Sequence, residues 1–175
     1  MINTKLNLVI RDVPDFPKAG IIFKDITPIL KDAALCSDVI DAFIHQLKNV
    51  EVDVVAGIES RGFLFGLMLA NRLKVPFVPI RKQGKLPFKK IQQPCELEYG
   101  SAILELHEDA IVSGQKVLIH DDLLATGGTV SAATRLVQQL GGTIAGYAFV
   151  ISLDFLNGKE KLKETSKNII SLVSY

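Results

Sequence analysis

Short apolar runs alternate with segments of helical length along this chain, and this alternation restricts the fold more than any other feature. Four runs rich in β-branched residues have the length of buried strands: 52–58, 75–80, 116–120 and 143–153. Three segments between or before them predict helices: 36–48, with Ser37 as N-cap, 63–73 and 129–140. Strands that alternate with helices predict an α/β fold with a parallel sheet covered on both faces. A length of 175 residues predicts one domain, 1–175.

The overall charge excludes some classes of partner. Twenty basic and nineteen acidic side chains leave a formal charge of +1, so nothing drives the chain as a whole toward nucleic acid or a membrane surface. Cys36 and Cys95 do not form a disulfide framework, and the N-terminal residues do not have the pattern of a secretory signal. We therefore expect a cytoplasmic protein that binds anions only at local sites.

The most informative motif is VLIHDDLLATGGT at 117–129, in which an apolar strand ends in two acids and a glycine loop opens a helix. Glycines allow close approach of the backbone to an anion, and free amides at the helix start donate to phosphate oxygens. Asp121 and Asp122 would repel a phosphate but can accept hydrogen bonds from sugar hydroxyls. The motif predicts a site for a ribose that carries a 5-phosphate.

A second turn, GIESRG at 57–62, also joins a strand to a helix start and brings one cation, Arg61. This geometry suits another anion. The turn has the glycine spacing of a nucleotide-triphosphate loop, but Phe63 and Leu64 stand where the lysine and the hydroxyl residue should be. Hydrolysis of nucleoside triphosphates is therefore disfavoured.

The string DDLLATGGT at 121–129 resembles the signature of type I phosphoribosyltransferases, and in detail that of their adenine-specific members. The similarity extends from about Val13 to the last strand. It implies a mostly parallel central sheet flanked by helices, with an N-terminal hood over the base site within residues 1–35 and a flexible lid at about 82–97. It also implies a homodimeric enzyme of purine salvage, which transfers the 5-phosphoribosyl group of phosphoribosyl pyrophosphate to adenine and releases AMP and pyrophosphate.

The resemblance assigns roles to residues of both loops. The 5-phosphate would be bound by Ala125, Thr126, Gly127, Gly128 and Thr129. The ribose hydroxyls would be bound by Asp121 and Asp122. Pyrophosphate would be bound by Ser60, Arg61, Arg81, Lys82 and Lys85. Arg61, Glu98 and Tyr99 would be the catalytic residues, the last two closing over the reacting atoms as part of the lid.

The segment PDFPKAGIIFKDITPILKD at 14–32 is interpreted as the hood. Phe23 offers a flat face on which a purine can stack, and Leu123 can cover the opposite face. The backbone of Ile22 can read the donor and acceptor pattern of adenine, and the resemblance adds Lys24, although arginine is commoner there. Magnesium prefers phosphate oxygens and water, so we expect Mg²⁺ to arrive on the donor without direct protein ligands.

Two alternatives remain open at this point. The chain could act on another nucleobase, such as xanthine, hypoxanthine or orotate, because the phosphate motif is common to these enzymes. It could also be a regulator that senses a nucleotide on the same fold without catalysis. The roles of His120, where the family has an aliphatic residue, and of Cys95 in the lid are left open.

Overall fold

The computed structural model describes residues 1–96 and 100–175, so the two lid residues Glu98 and Tyr99 lie outside the described part. Within these ranges, seven strands form one sheet in the spatial order β5-β6-β4-β3-β7-β8-β9. Their bounds are β3 (Val54–Ile58), β4 (Phe77–Lys82), β5 (Lys90–Glu96), β6 (Ser101–His107), β7 (Lys116–Leu124), β8 (Thr143–Ser152) and β9 (Ile169–Ser174). Five neighbouring strands run parallel to one another: β4, β3, β7, β8 and β9. At the edge of the sheet, β6 pairs antiparallel with β4, and β5 pairs antiparallel with β6.

Helices cover both faces of this sheet. They are α1 (Ile2–Val9), α2 (Ala33–Leu47), α3 (Gly62–Leu73), α4 (Gly128–Gln139) and α5 (Gly158–Lys163). One apolar core lies between the sheet and α1, α2 and α3, and contains Phe43 and Phe65. The other lies under α4 and α5, and contains Val130 and Tyr147. The predicted α/β architecture is confirmed.

The hood segment forms a separate antiparallel hairpin, β1 (Arg11–Pro14) paired with β2 (Ile22–Asp25). Side chains alternate between the two faces of a strand. Phe23 therefore lies on one face of β2, and Ile22 and Lys24 lie on the other.

Two local predictions were wrong. Helix α2 begins at Ala33, because the Asp32 carboxylate accepts a hydrogen bond from the Leu35 amide and caps the helix; Ser37 instead donates to the Ala33 carbonyl inside it. The acids at 121–122 do not follow the strand, since β7 continues to Leu124. The pair therefore lies within the strand, near its end, and the two side chains point to opposite faces of the sheet.

Candidate active site

The phosphate loop, residues 125–129, connects β7 to α4 at the carboxyl edge of the parallel strands. Gly127 has a φ of 80°, a left-handed conformation that favours glycine. The loop lines a cavity of about 390 Å³ together with Pro17 of the hood, Asp121 and Leu123. All five predicted 5-phosphate ligands lie along this cavity, beside the start of α4.

Two backbone segments from elsewhere in the chain hold the phosphate loop. A Cβ atom at Gly128 would overlap the carbonyl oxygen of Glu96, at the end of β5. Gly158, at the start of α5, packs so closely on the other side that a Cβ there would overlap the Ala125 carbonyl oxygen. The shape of the loop is therefore fixed from both flanks by main-chain contacts.

The acidic pair is linked to the second loop through an ion pair. Arg61 Nε lies 2.6 Å from Asp122 Oδ2, and Asp122 is buried. Burial, and after it the charge of Asp122, raise the pKa of Asp121 well above its ordinary value. Asp122 is thus the ion-pair partner of Arg61, while Asp121 can also donate a hydrogen bond when protonated.

Ser60 and Arg61 stand between β3 and α3, after a cis peptide bond that joins Glu59 to Ser60. They line a cavity of about 270 Å³ with Lys82, Asp121 and Asp122. This cavity shares Asp121 and Thr129 with the cavity of the phosphate loop. The two cavities therefore adjoin at Asp121 and Thr129, between the two loops.

The three predicted cations lie at the end of β4, which includes Arg81 and Lys82, and just after it, at Lys85. Their side chains fall into two groups. Lys82 lines the second cavity, whereas Arg81 and Lys85 pair with Glu59 at 3.3 and 3.1 Å. Burial alone would raise the pKa of Glu59, but a hydrogen bond from the Lys82 amide and the side chains of Arg81 and Lys85 lower it to about 2. Glu59 therefore stays ionised and holds two of the three cations beside the cavity.

The hood brings one of its three predicted base contacts toward the loops. The guanidinium carbon of Arg61 lies 4.8 Å from the centre of the Phe23 ring. Ile22 and Lys24 line a different cavity of about 390 Å³ on the far face of the hairpin. There, Lys24 Nζ lies 2.7 Å from Asp12 and 3.8 Å above the Tyr175 ring, so its side chain is directed away from Phe23.

Sequence reasoning missed Glu59, Gly158 and the contact between β5 and the phosphate loop. The position of Glu59 beside Ser60 and Arg61 was the one signal that could have marked it. The other contacts join segments about thirty residues apart in the chain. Cys95, whose role the sequence left open, is 2% exposed and lies beside Thr129 in the first turn of α4.

The described residues contain no group of three or more His, Cys, Asp or Glu side chains that could enclose a metal ion. The carboxylates that line the two cavities in the described part of the chain are Asp121, Asp122 and Glu59. Asp122 is paired with Arg61, and Glu59 with Arg81 and Lys85. This donor set fits an ion that brings most of its ligands with the substrate. None of the helices in the described ranges is long and apolar enough to cross a membrane.

Comparison with known proteins gives consistent matches. Residues 27–174 match the model of the phosphoribosyl transferase domain. The adenine phosphoribosyltransferase of Cytophaga hutchinsonii is 49% identical over 166 residues, which are 95% of this chain and 92% of that protein. The crystal structure of the Thermoanaerobacter pseudethanolicus adenine phosphoribosyltransferase superposes with a TM-score of 0.95 at 48% identity, with both chains fully covered. The Saccharomyces cerevisiae adenine phosphoribosyltransferase has a TM-score of 0.90 at 42% identity over 98% of each chain, in a complex with adenine and an imino-altritol 1,6-bisphosphate.

Proposed function

This chain belongs to the adenine phosphoribosyltransferase family, and on that premise we propose that it transfers the 5-phosphoribosyl group of phosphoribosyl pyrophosphate to adenine, giving AMP and pyrophosphate. The observation that carries the proposal is the pair of adjoining cavities, each beside a helix start, that meet at Asp121 and Thr129. A ribose with phosphate groups at both ends matches this arrangement in charge and in order. The yeast relative, bound to a sugar-like bisphosphate and adenine, supports the same reading.

In this proposal, residues 125–129 bind the 5-phosphate, and Asp121 and Asp122 bind the ribose hydroxyls. Ser60, Arg61 and Lys82 bind the pyrophosphate, and Arg81 and Lys85 add positive charge from their position on Glu59. During the reaction the bond from the anomeric carbon to pyrophosphate breaks, and a purine nitrogen forms the new bond as it loses its proton. Positive charge develops on the ribose and negative charge on the leaving pyrophosphate.

The residues then act mainly by positioning and by compensating charge. Arg61 is central because it lies between Phe23, where we place the base, and Asp122, where we place the ribose. When bound, Mg²⁺ carried by the donor would neutralise part of the pyrophosphate charge. We keep Glu98 and Tyr99 as proposed catalytic residues of the lid, although they lie outside the described residues.

We also propose that the chain acts as a single domain, with its hood in residues 1–35 and its lid in residues 82–97, and as a homodimer in the cytoplasm. Helix α3 presents three apolar side chains to solvent: Leu64, Leu67 and Met68, at 42%, 57% and 39% exposure. This exposed apolar surface supports the proposal that α3 packs against another copy of the chain in a dimer.

The choice of base can be tested directly. Purified protein with donor and Mg²⁺ should use adenine far more efficiently than hypoxanthine, guanine, xanthine or orotate. A 6-oxo purine presents an acceptor where adenine presents a donor, so a site that accepts a hydrogen bond from the adenine amino group would be left with an unpaired polar group at a cost of about 1–3 kcal/mol. Phe23→Ala should raise the KM for adenine by about tenfold through loss of stacking.

A matched control is Phe155→Ala, which removes an exposed ring from the cavity on the far face of the hood. It should leave the KM for adenine unchanged. Equal efficiency with hypoxanthine and adenine would contradict adenine specificity. Failure to form any nucleotide from any base would favour the alternative of a sensing protein without catalysis.

The ribose site makes a separate prediction. Asp121→Asn should raise the KM for the donor by about tenfold, because one hydrogen-bonding group of the sugar site changes its charge and acceptor pattern. Steady-state kinetics with varied donor at saturating adenine measure this. Asp41→Asn, an exposed carboxylate on α2, is the control and should change nothing. If Asp121→Asn leaves the donor KM unaltered, Asp121 has no role in binding the sugar.

A further inference from the structure

The end of β5 lies directly on the phosphate loop. The Glu96 carbonyl faces Gly128 at a distance that leaves no room for a Cβ atom. The neighbouring Cys95 Sγ lies 3.7 Å from Thr129 Oγ1 and 3.7 Å from the Glu96 carbonyl oxygen. These contacts join an edge strand of the sheet to the first turn of α4.

The chemistry of the thiol is that of a hydrogen-bond donor. Cys95 is 2% exposed, and burial raises the pKa of its thiol, so the sulfur keeps its proton at neutral pH. A threonine hydroxyl has one proton and can accept as well. The single thiol proton has two acceptors within reach, Thr129 Oγ1 and the Glu96 carbonyl oxygen. When the thiol donates to Thr129, the hydroxyl proton of Thr129 stays free for an oxygen in the cavity. The same burial makes Cys95 a poor nucleophile.

We propose that Cys95 is a positioning residue, which orients the Thr129 hydroxyl toward a bound 5-phosphate and ties the end of β5 to the phosphate loop. Occupancy of the loop by a phosphate monoester then fixes residues 93–96, without need of base or pyrophosphate. This inference rests on the proposed function in that it takes ribose 5-phosphate as the ligand of the loop.

The test compares three variants of the full-length chain by calorimetric titration with ribose 5-phosphate and, separately, with inorganic pyrophosphate. Cys95→Ala should weaken ribose 5-phosphate binding by about threefold to tenfold, the range expected for one lost hydrogen bond. It should weaken pyrophosphate binding less, although Cys95 and Thr129 also line the second cavity. Cys95→Ser keeps a donor and should restore the affinity to within about twofold of the original. Cys36→Ala, which removes the other buried thiol, is the matched control.

Hydrogen exchange provides a second measurement. Ribose 5-phosphate should slow exchange of the amides of Gln93, Cys95 and Glu96 in the original protein and in Cys95→Ser, and should do so less in Cys95→Ala. Equal weakening of both ligands by Cys95→Ala, or no rescue by serine, would reduce Cys95 to a packing residue and overturn the proposal. Absence of ribose 5-phosphate binding in the original protein would overturn it as well. Binding with this pattern but without AMP formation would contradict the proposed function alone.

Discussion

Replacing Arg61 by alanine is expected to slow AMP formation by about a hundredfold, which corresponds to about 3 kcal/mol of lost transition-state stabilisation. The guanidinium contacts the Phe23 ring and pairs with buried Asp122 beside the second cavity. The positive charge of Arg61 would stabilise the negative charge that develops on the leaving pyrophosphate. The kcat values of the forward reaction and of AMP pyrophosphorolysis should fall together, because both directions pass through one transition state.

Two further variants separate the contributions of Arg61. Arg61→Lys keeps the charge but loses the planar donor group, so its kcat should lie between those of the original and of the alanine variant. Arg72→Ala removes an exposed arginine at the other end of α3, where it pairs with Asp41, and should leave kcat unchanged. Full activity of Arg61→Ala in both directions would mean that Arg61 is only a surface charge.

His120 is expected to make the fold sensitive to acid. Its side chain is fully buried beside Phe43 and Gly66, and within the described part of the chain its two ring nitrogens make no hydrogen bond of standard geometry. The backbone of Ala148 offsets part of the effect of burial on the pKa of His120. Burial lowers the pKa of His120 to about 4. The unfolded chain takes up the proton near pH 6.5, while the folded chain resists it until about pH 4.

Since the folded pKa is depressed, the unfolded state binds more protons between these values, and stability falls as the pH is lowered through this window. The loss is about 1.4 kcal/mol per pH unit and about 3 kcal/mol in all. His120→Leu should remove this component and stabilise the protein by about 1 kcal/mol at pH 7, because a buried and poorly hydrogen-bonded polar group is replaced. Urea denaturation at pH 7.5 and 4.5 measures both effects.

His45→Gln serves as the control for the His120 variant, because His45 is an exposed histidine on α2 and its loss should not change the pH dependence. The pH profile of His120→Leu should then be flatter than the profiles of the original protein and of His45→Gln. Three superimposable profiles would show that His120 does not contribute to acid sensitivity.

The sequence predicted the elements whose signals are local. Buried parallel strands such as β3 and β8 are continuous apolar runs, and the glycine loop at 125–129 has the composition that a helix start beside an anion needs. Their order along the chain was sufficient to predict the sheet and to bring the two loops to one edge. The family resemblance then supplied the roles that spacing alone leaves open.

Features that depend on distant partners could not be predicted in this way. Strand β5 is polar and contains Pro94, and it is a strand because β6 pairs with it residue by residue. Glu59 pairs with Arg81 because β3 and β4 lie side by side in the sheet, which their separate positions in the sequence do not show. The Lys24 side chain points away from Phe23 because side chains alternate between the two faces of β2, and Asp12 on the facing strand pairs with it.

The tight seating of Gly62 on β7 has a consequence for the size of molecule that the site accepts. A Cβ at Gly62 would lie 2.8 Å from the His120 carbonyl oxygen and 3.1 Å from Asp121 Oδ1, so the start of α3 packs on β7 at a distance that only glycine allows. The phosphate loop continues from the same strand and is held by Gly158 on its other flank. The distance between the two loops is therefore set by backbone contacts along one strand, and we expect the site to discriminate between substrates by their length as well as by their charge.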